Sequence, residues 1–167
     1  SAYAEVSDDE FETIYALNFR SVHYCIKAAL PIMLAQQSGT FLCTSSGAGI
    51  NYSPGLAAYG AAKAGLTSLA RSIAVEYGSQ GIRANVIAPG PIETPSLRAW
   101  LDSLDAKQTE KTTQSTYQQW CEHVPVGRLG NADDIANAAV FLVSDEAAFV
   151  NGVLLPVDGA IHAKLSS

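Results

Sequence analysis

The sequence predicts an α/β fold built on a parallel sheet. Two features predict it: long segments with helical apolar spacing alternate with short uncharged apolar runs, and each short run is bounded by Gly, Ser or Pro. The order is helix, strand, helix, strand, helices, strand, which calls for right-handed crossovers between parallel strands.

Taken in order, Ser7 followed three residues later by Glu10 has the form of a capping box. Phe11, Ile14, Tyr15, Asn18, Val22, Cys25, Ile26 and Ala29 then recur at helical spacing, predicting a helix over about Asp8 to Ala35. Pro31 is expected to kink it or end its regular part. The run "TFLCTS" after Gly39 is too short for a helix and reads as a buried strand ending near Ser45. A Gly-, Ser- and Pro-rich loop follows to Gly55, then a helix from about Ala57 to Tyr77, closed by Gly78 and Gly81. "RANVIAP", Arg83 to Pro89, is a second buried strand. The polar stretch from Gly90 to Gly130 is weakly helical in two pieces. Asn131 caps a helix to about Val143, with Asp133 and Asp134 favourably placed in its first turn. Val153 to Val157 is a third strand, and its Pro156 argues for an edge or end position.

The 167 residues are enough for a single domain, over 1–167, with a real core. At 48% hydrophobic and 16% charged, the chain is globular in composition. A net charge of −6 and no Lys/Arg cluster argue against nucleic acid and anionic membrane as partners. Residues 28–62 carry no charge, but Pro, Gly, Gln and Ser interrupt them too often for a membrane helix. Cys25, Cys43 and Cys121 fit no metal spacing and read as reduced, mostly buried thiols of a cytoplasmic protein. Three parallel strands alone leave an apolar edge, which natural sheets avoid. Further strands are therefore expected ahead of Ser1, where the chain starts without Met and runs straight into a helical pattern.

The chemistry centres on "SSGAGINYSPGLAAYGAAKAG", Ser45 to Gly65. Tyr59 and Lys63 stand one helical turn apart and share a face. A phenol is a poor acid or base at neutral pH, and a cation within reach favours its ionised form. The pair therefore reads as a tuned proton donor and acceptor. Ser46, thirteen residues before Tyr59, lies just past a strand end, where open α/β sheets bind ligands. Its hydroxyl can act on a substrate oxygen there, or serve the turn. Asn18, on the helix's apolar face, needs its amide satisfied, for structure or for a site. "APGPIETP" places a rigid turn at the next strand end, where Thr94 and the backbone around Ile92 can bind an amide.

These residues resemble the short-chain dehydrogenase/reductase family. The set Asn18, Ser46, Tyr59 and Lys63 carries the resemblance, with "YGAAKAG", "IRANVIAPGPIETP", "GRLGNADDIANAAVFLVSDEAAFVNG" and "VDG" in the family's order. It covers essentially the whole chain, but only the C-terminal two thirds or so of such a protein. The resemblance implies a Rossmann-like, doubly wound parallel sheet in three α/β/α layers, incomplete at its N-terminal side. It implies that Tyr59 is the general acid/base, and that Lys63 favours its ionised form and holds the nicotinamide ribose. Ser46 orients the substrate oxygen, and Asn18 positions a water linking Lys63 to solvent. Pro89, Gly90, Ile92 and Thr94 pack on the nicotinamide of NAD or NADP, with Ile92 and Thr94 on its carboxamide. The reaction implied is hydride transfer between a secondary alcohol and a ketone, in a homodimer or homotetramer.

The family's glycine-rich pyrophosphate turn has no counterpart in these residues, nor has the strand end that separates NAD from NADP. Its usual final "DGG" reads "DGA", Asp158 to Ala160, which is expected to matter little. Residues 91–125 are expected to form a substrate-binding lobe. Trp100, Tyr117 and Trp120 either line it or pack it down, the latter being favoured. Ile50, Asn51 and Tyr52 in the loop after Ser46 can line it too, with Tyr52 as a substrate contact. The competing reading is a non-catalytic module that keeps the family's self-association surfaces. A serine hydrolase is poorly supported, because Ser46 lacks a Gly-x-Ser-x-Gly frame and His23, His123 and His162 lie in no motif. No metal site is expected.

Overall fold

The computed structural model describes residues 2–51, 53–106 and 115–164. Its sheet has three parallel strands in the order β1 (Gly39–Thr44), β2 (Ile82–Pro89) and β3 (Leu154–Val157). Pro156 accordingly falls on a strand whose partner is β2 alone among the described residues.

Strand alternation sorts β2 onto two faces. Ile82, Ala84 and Val86 pack with Ile26, Leu66, Ala70 and Ile73 in the main core. Those partners come from α2 (Ser21–Gln36) and α3 (Ala57–Tyr77). From the opposite face, Arg83 donates to the carbonyls of Leu142 and Ser144 at the end of α6 (Ala132–Val143). Helices thus cover both faces, giving three α/β/α layers. α6 opens with a capping box between Asn131 and Asp134. Arg128 grips the Asp134 carboxylate at 2.7 and 3.0 Å; this pair and the Asn131 amide hold that carboxyl at about 2, below its ordinary range.

The first helical segment differs from expectation. α1 (Asp8–Tyr15) and α2 are continuous, but a π turn at Ala16–Arg20 lies between them. The irregularity is here and not at Pro31, which sits inside α2. The cause is local: the Asn18 amide donates to the Ile14 carbonyl at 2.9 Å, competing with the backbone ladder. Pro31 is exposed, so water can serve the Lys27 carbonyl that its missing N–H leaves. Of the predicted apolar face only Ile26 is buried. Cys25 lies beside the packed stripe of Phe19, Val22, Ile26, Leu30 and Met33 and is exposed, so the expectation of mostly buried thiols holds only for Cys43.

α4 (Pro95–Asp105) and α5 (Thr116–His123) pack against each other in a small unit. Leu101, Val124 and Leu129 make its core, and Trp100 meets Trp120 edge-on at 5.6 Å. These aromatics tie the two helices together.

Ala160 is a second correction. It has φ +73°, a left-handed conformation that favours glycine. The Asp158 carboxylate accepts the Ala160 amide at 3.0 Å and the His162 amide at 2.9 Å, which holds the strained turn. The change from "DGG" to "DGA" is therefore costly. Ala160→Gly is expected to raise stability by about 0.5–1 kcal/mol, less than the full strain because glycine gains entropy in the unfolded chain. Equilibrium denaturant unfolding of both proteins checks it.

Candidate active site

The site forms where β1 and β2 end. β1 stops at Thr44 and the chain enters a short 3₁₀ turn, Gly47–Gly49, packed against α3. Gly49 permits this contact: a Cβ there would stand 2.7 Å from Ser45 Oγ and 3.0 Å from the Ala64 nitrogen. This loop and the helix bearing Tyr59 and Lys63 are thereby held backbone to backbone.

Lys63 is half-buried, and its ammonium donates to the Thr44 carbonyl at 3.0 Å. It also lies 5.6 Å from the centre of the Tyr59 ring, so the phenol and the cation are neighbours, as their spacing predicts. Burial pushes the Lys63 ammonium below its ordinary range, and the nearby Cys43 thiol opposes this. An ammonium has three donors, so the bond to Thr44 leaves capacity for a ligand's hydroxyls.

Ser46 accepts the Ala48 amide at 3.2 Å and caps the 3₁₀ turn. Its lone pair thus serves the turn while its O–H can still donate to a substrate oxygen. Both readings of that hydroxyl are compatible in one residue. Asn18 spends its amide on Ile14, so a bound water would have to use its remaining side-chain or backbone polar groups. The π turn around Asn18 rests on α3 through Phe19, whose ring lies where a Cβ on Gly65 would intrude, at 2.9 Å.

The turn after β2 closes the site's second side. Gly90 donates to the Val157 carbonyl at 3.0 Å, and a Cβ there would fall 2.6 Å from Asp158 Cβ. Ile92 makes a lone parallel bridge with Gly130. The bridge uses the Pro91 carbonyl and the Glu93 amide, at 3.0 and 2.7 Å. The N–H and C=O of Ile92 itself therefore point away from Gly130. One donor and one acceptor side by side match a primary carboxamide, so this turn fits a nicotinamide. Thr94 accepts the Leu97 amide as the N-cap of α4, and its O–H can still donate.

Sequence reasoning missed two features. Glu93 accepts Tyr117 Oη at 2.9 Å and lies 3.4 Å from Arg98, joining the turn to α5. Ser45, beside the expected Ser46, is the buried member of the pair. The signal for Glu93 was its place within "PIETP"; nothing in the sequence distinguished Ser45. Tyr52 lies outside the described residues. Among the described residues no group of three potential metal ligands occurs.

Comparison with known proteins places the chain in a family. Residues 1–162 match the family model described as enoyl-(acyl carrier protein) reductase. The chain is 38% identical over 154 residues to levodione reductase of Leifsonia aquatica, covering 92% of this chain and 56% of that one. The chain belongs to the short-chain dehydrogenase/reductase family. The 3-oxoacyl-(acyl-carrier-protein) reductase of Escherichia coli, another relative, is 39% identical over 157 residues, covering 94% of this chain and 59% of its own. Among solved structures, levodione reductase superposes with a TM-score of 0.88 at 35% identity, over 99% of this chain and 62% of that one. A gluconate 5-dehydrogenase from Burkholderia cenocepacia, in complex with NADP and tartrate, gives 0.85 at 27% identity, over 99% and 61%. The chain thus spans less than two thirds of each of these short-chain dehydrogenases/reductases.

Proposed function

We propose that this chain carries the catalytic and nicotinamide-binding part of an NAD- or NADP-dependent oxidoreductase that interconverts a secondary alcohol and a ketone. The observation that carries the reading is the Lys63 ammonium beside the Tyr59 ring and anchored on the Thr44 carbonyl at 3.0 Å. In this reading the cofactor supplies or receives the hydride. Tyr59 gives its phenolic proton to the ketone oxygen, or takes one from the alcohol. Ser46 donates to that same oxygen and orients it. Lys63 favours the anionic form of Tyr59 and offers its remaining donors to the ribose hydroxyls. Asn18 positions a water between Lys63 and solvent. Ile92 and Thr94 take the carboxamide, and Pro89 and Gly90 shape the wall behind the ring.

The lobe within residues 91–125 covers the substrate, with Tyr52 contributing from the loop after Ser46. The substrate is a small alcohol or ketone, and the assembly a cytoplasmic homodimer or homotetramer. The small residues Gly60, Ala61 and Ala64, which line one open groove of about 540 Å³ with residues 48–51 and 53–56, support self-association through α3.

Hydride transfer is tested by following nicotinamide absorbance with both cofactors against a panel of ketones and secondary alcohols. Lys63→Ala is expected to weaken cofactor binding roughly tenfold or more, the scale of a lost charge-assisted contact. An unchanged cofactor affinity removes the role assigned to the ammonium. If no cofactor binds, the interaction-module reading takes its place.

A further inference from the structure

We infer that Ser45 is a positioning residue for Lys63, setting the register of the Tyr59–Lys63 turn of α3 against the strand end that carries Ser46.

Ser45 is 3% exposed, and its backbone is fixed to the sheet by donation to the Ile87 carbonyl at 2.7 Å. From that anchor its hydroxyl donates to the backbone carbonyl of Lys63 at 2.9 Å, eighteen residues along the chain. The preceding residue, Thr44, holds the other end of the same lysine through its carbonyl. Two consecutive residues of β1's end thus grip Lys63 by head and backbone. A helix carbonyl already has its own i+4 partner, so this hydroxyl is not needed to satisfy the helix. Its effect is to tie one turn of α3 to one strand end. Gly49 is part of the same joint, since a side chain there would displace the Ser45 hydroxyl.

The consequence is geometric. A cation tunes a neighbouring acid only at short range, and sub-ångström drift in a catalytic pair is costly. Without the Ser45 bond the helix turn can lift from β1, water reaches Lys63, and the ammonium leaves its fixed place beside Tyr59. The titratable groups facing Lys63 are Cys43 from β1 and Tyr59 from α3. Both remain in the variants used below.

The inference rests on the reading of Lys63 as partner of the acid/base, but its first test does not need turnover. Lysine labelled with ¹³C at Cε, with Lys63 assigned through Lys63→Arg, reports the titration of that ammonium directly. In Ser45→Ala the Lys63 titration is expected to rise toward the ordinary lysine range by ~0.5 pH unit or more, about threefold in its proton affinity. Ser45→Thr, which keeps the hydroxyl, is expected to restore it. Where hydride transfer is measurable, Ser45→Ala is expected to lower kcat about tenfold with substrate KM changed less than about twofold, the pattern of lost positioning. A Ser45→Ala protein that folds with an unchanged Lys63 titration overturns the inference, and the serine then only satisfies its own hydroxyl. If Ser45→Ala does not fold, Ser45→Cys replaces it under the same two outcomes. A wild-type chain with no hydride transfer counts against the proposed reaction, while the titration still decides the role of Ser45.

Discussion

Tyr59→Phe is expected to lower hydride transfer by about 10²–10⁴-fold, the usual contribution of a positioned general acid or base. The substitution removes one oxygen and keeps the ring. Tyr59 is only partly buried, and its ring lies beside the Lys63 ammonium at 5.6 Å, so packing changes little. The nicotinamide contacts assigned to Ile92 and Thr94 lie on the other strand end and are untouched. Cofactor affinity should therefore stay within about threefold of wild type, a shift of well under 1 kcal/mol. The thermal midpoint should not move. Steady-state rates from nicotinamide absorbance, with cofactor binding measured separately, check both halves. A variant retaining a rate within tenfold of wild type removes Tyr59 from the mechanism. A variant that loses cofactor and turnover together makes the phenol a binding group instead of a proton carrier.

The parts of this fold that were legible in the sequence are those set by local rules. α3 spans Ala57–Tyr77, bounded by Gly78, just as its pattern predicts. α6 begins after Asn131 because an Asn with Asp three residues on satisfies the first-turn amides in any context. β2 was readable because the central strand of a parallel sheet is mostly apolar, whereas β1, bonded to β2 alone among the described residues and buried only at Cys43, was readable from its short apolar run after Gly39 and not from full burial. What escaped depended on backbone geometry that apolar spacing does not encode. The π turn at Ala16–Arg20 arises from one side-chain bond, Asn18 to Ile14, which competes with the backbone and leaves no mark on apolar spacing. Pro31, the louder local signal, drew the prediction away from it. The strain at Ala160 followed from a backbone angle, invisible until the turn was seen around Asp158.

The site divides the same way. The Tyr59–Lys63 pairing follows from one helical turn of separation, so the sequence predicted their common face. The meeting of that face with β1's end required tertiary structure. So did the division of labour between Ser45 and Ser46, which differ in burial because the alternation of β1 continues past its end: Cys43 and Ser45 are buried and Thr44 between them is exposed. Ser45 is buried against α3 and Ser46 caps the next turn.

The largest effect on stability is expected at Asn85, a residue that carries no chemistry in the proposed reaction. Asn85 has no exposed surface and stands in the middle of β2. Its amide nitrogen donates to the Val150 carbonyl at 2.8 Å, and its oxygen accepts the Val153 amide at 3.0 Å. Those two groups belong to the segment leading into β3, ahead of its ladder with β2. Asn151 reinforces the seam by accepting the Ala84 amide at 2.8 Å, and Arg83 reaches the Val150 carbonyl at 3.3 Å. Together they pin the entry of β3, and through it the Val157–Asp158 corner against which Gly90 packs. Asn85→Ala leaves the Val153 amide without its partner and the Val150 carbonyl with Arg83 alone, so a loss of about 1–3 kcal/mol is expected in denaturant unfolding. Asn85→Asp separates the two bonds. At pH 7 its carboxylate keeps an acceptor for Val153 but turns an oxygen toward the Val150 carbonyl, and a buried charge is added. It should therefore be at least as unstable as Asn85→Ala near neutrality. As the pH falls through the carboxyl's range, protonation restores a donor toward Val150, and the stability gap to wild type should narrow. A gap that stays constant with pH would mean that neither the added charge nor the lost donor costs anything at this site, and that Asn85 matters only through its volume.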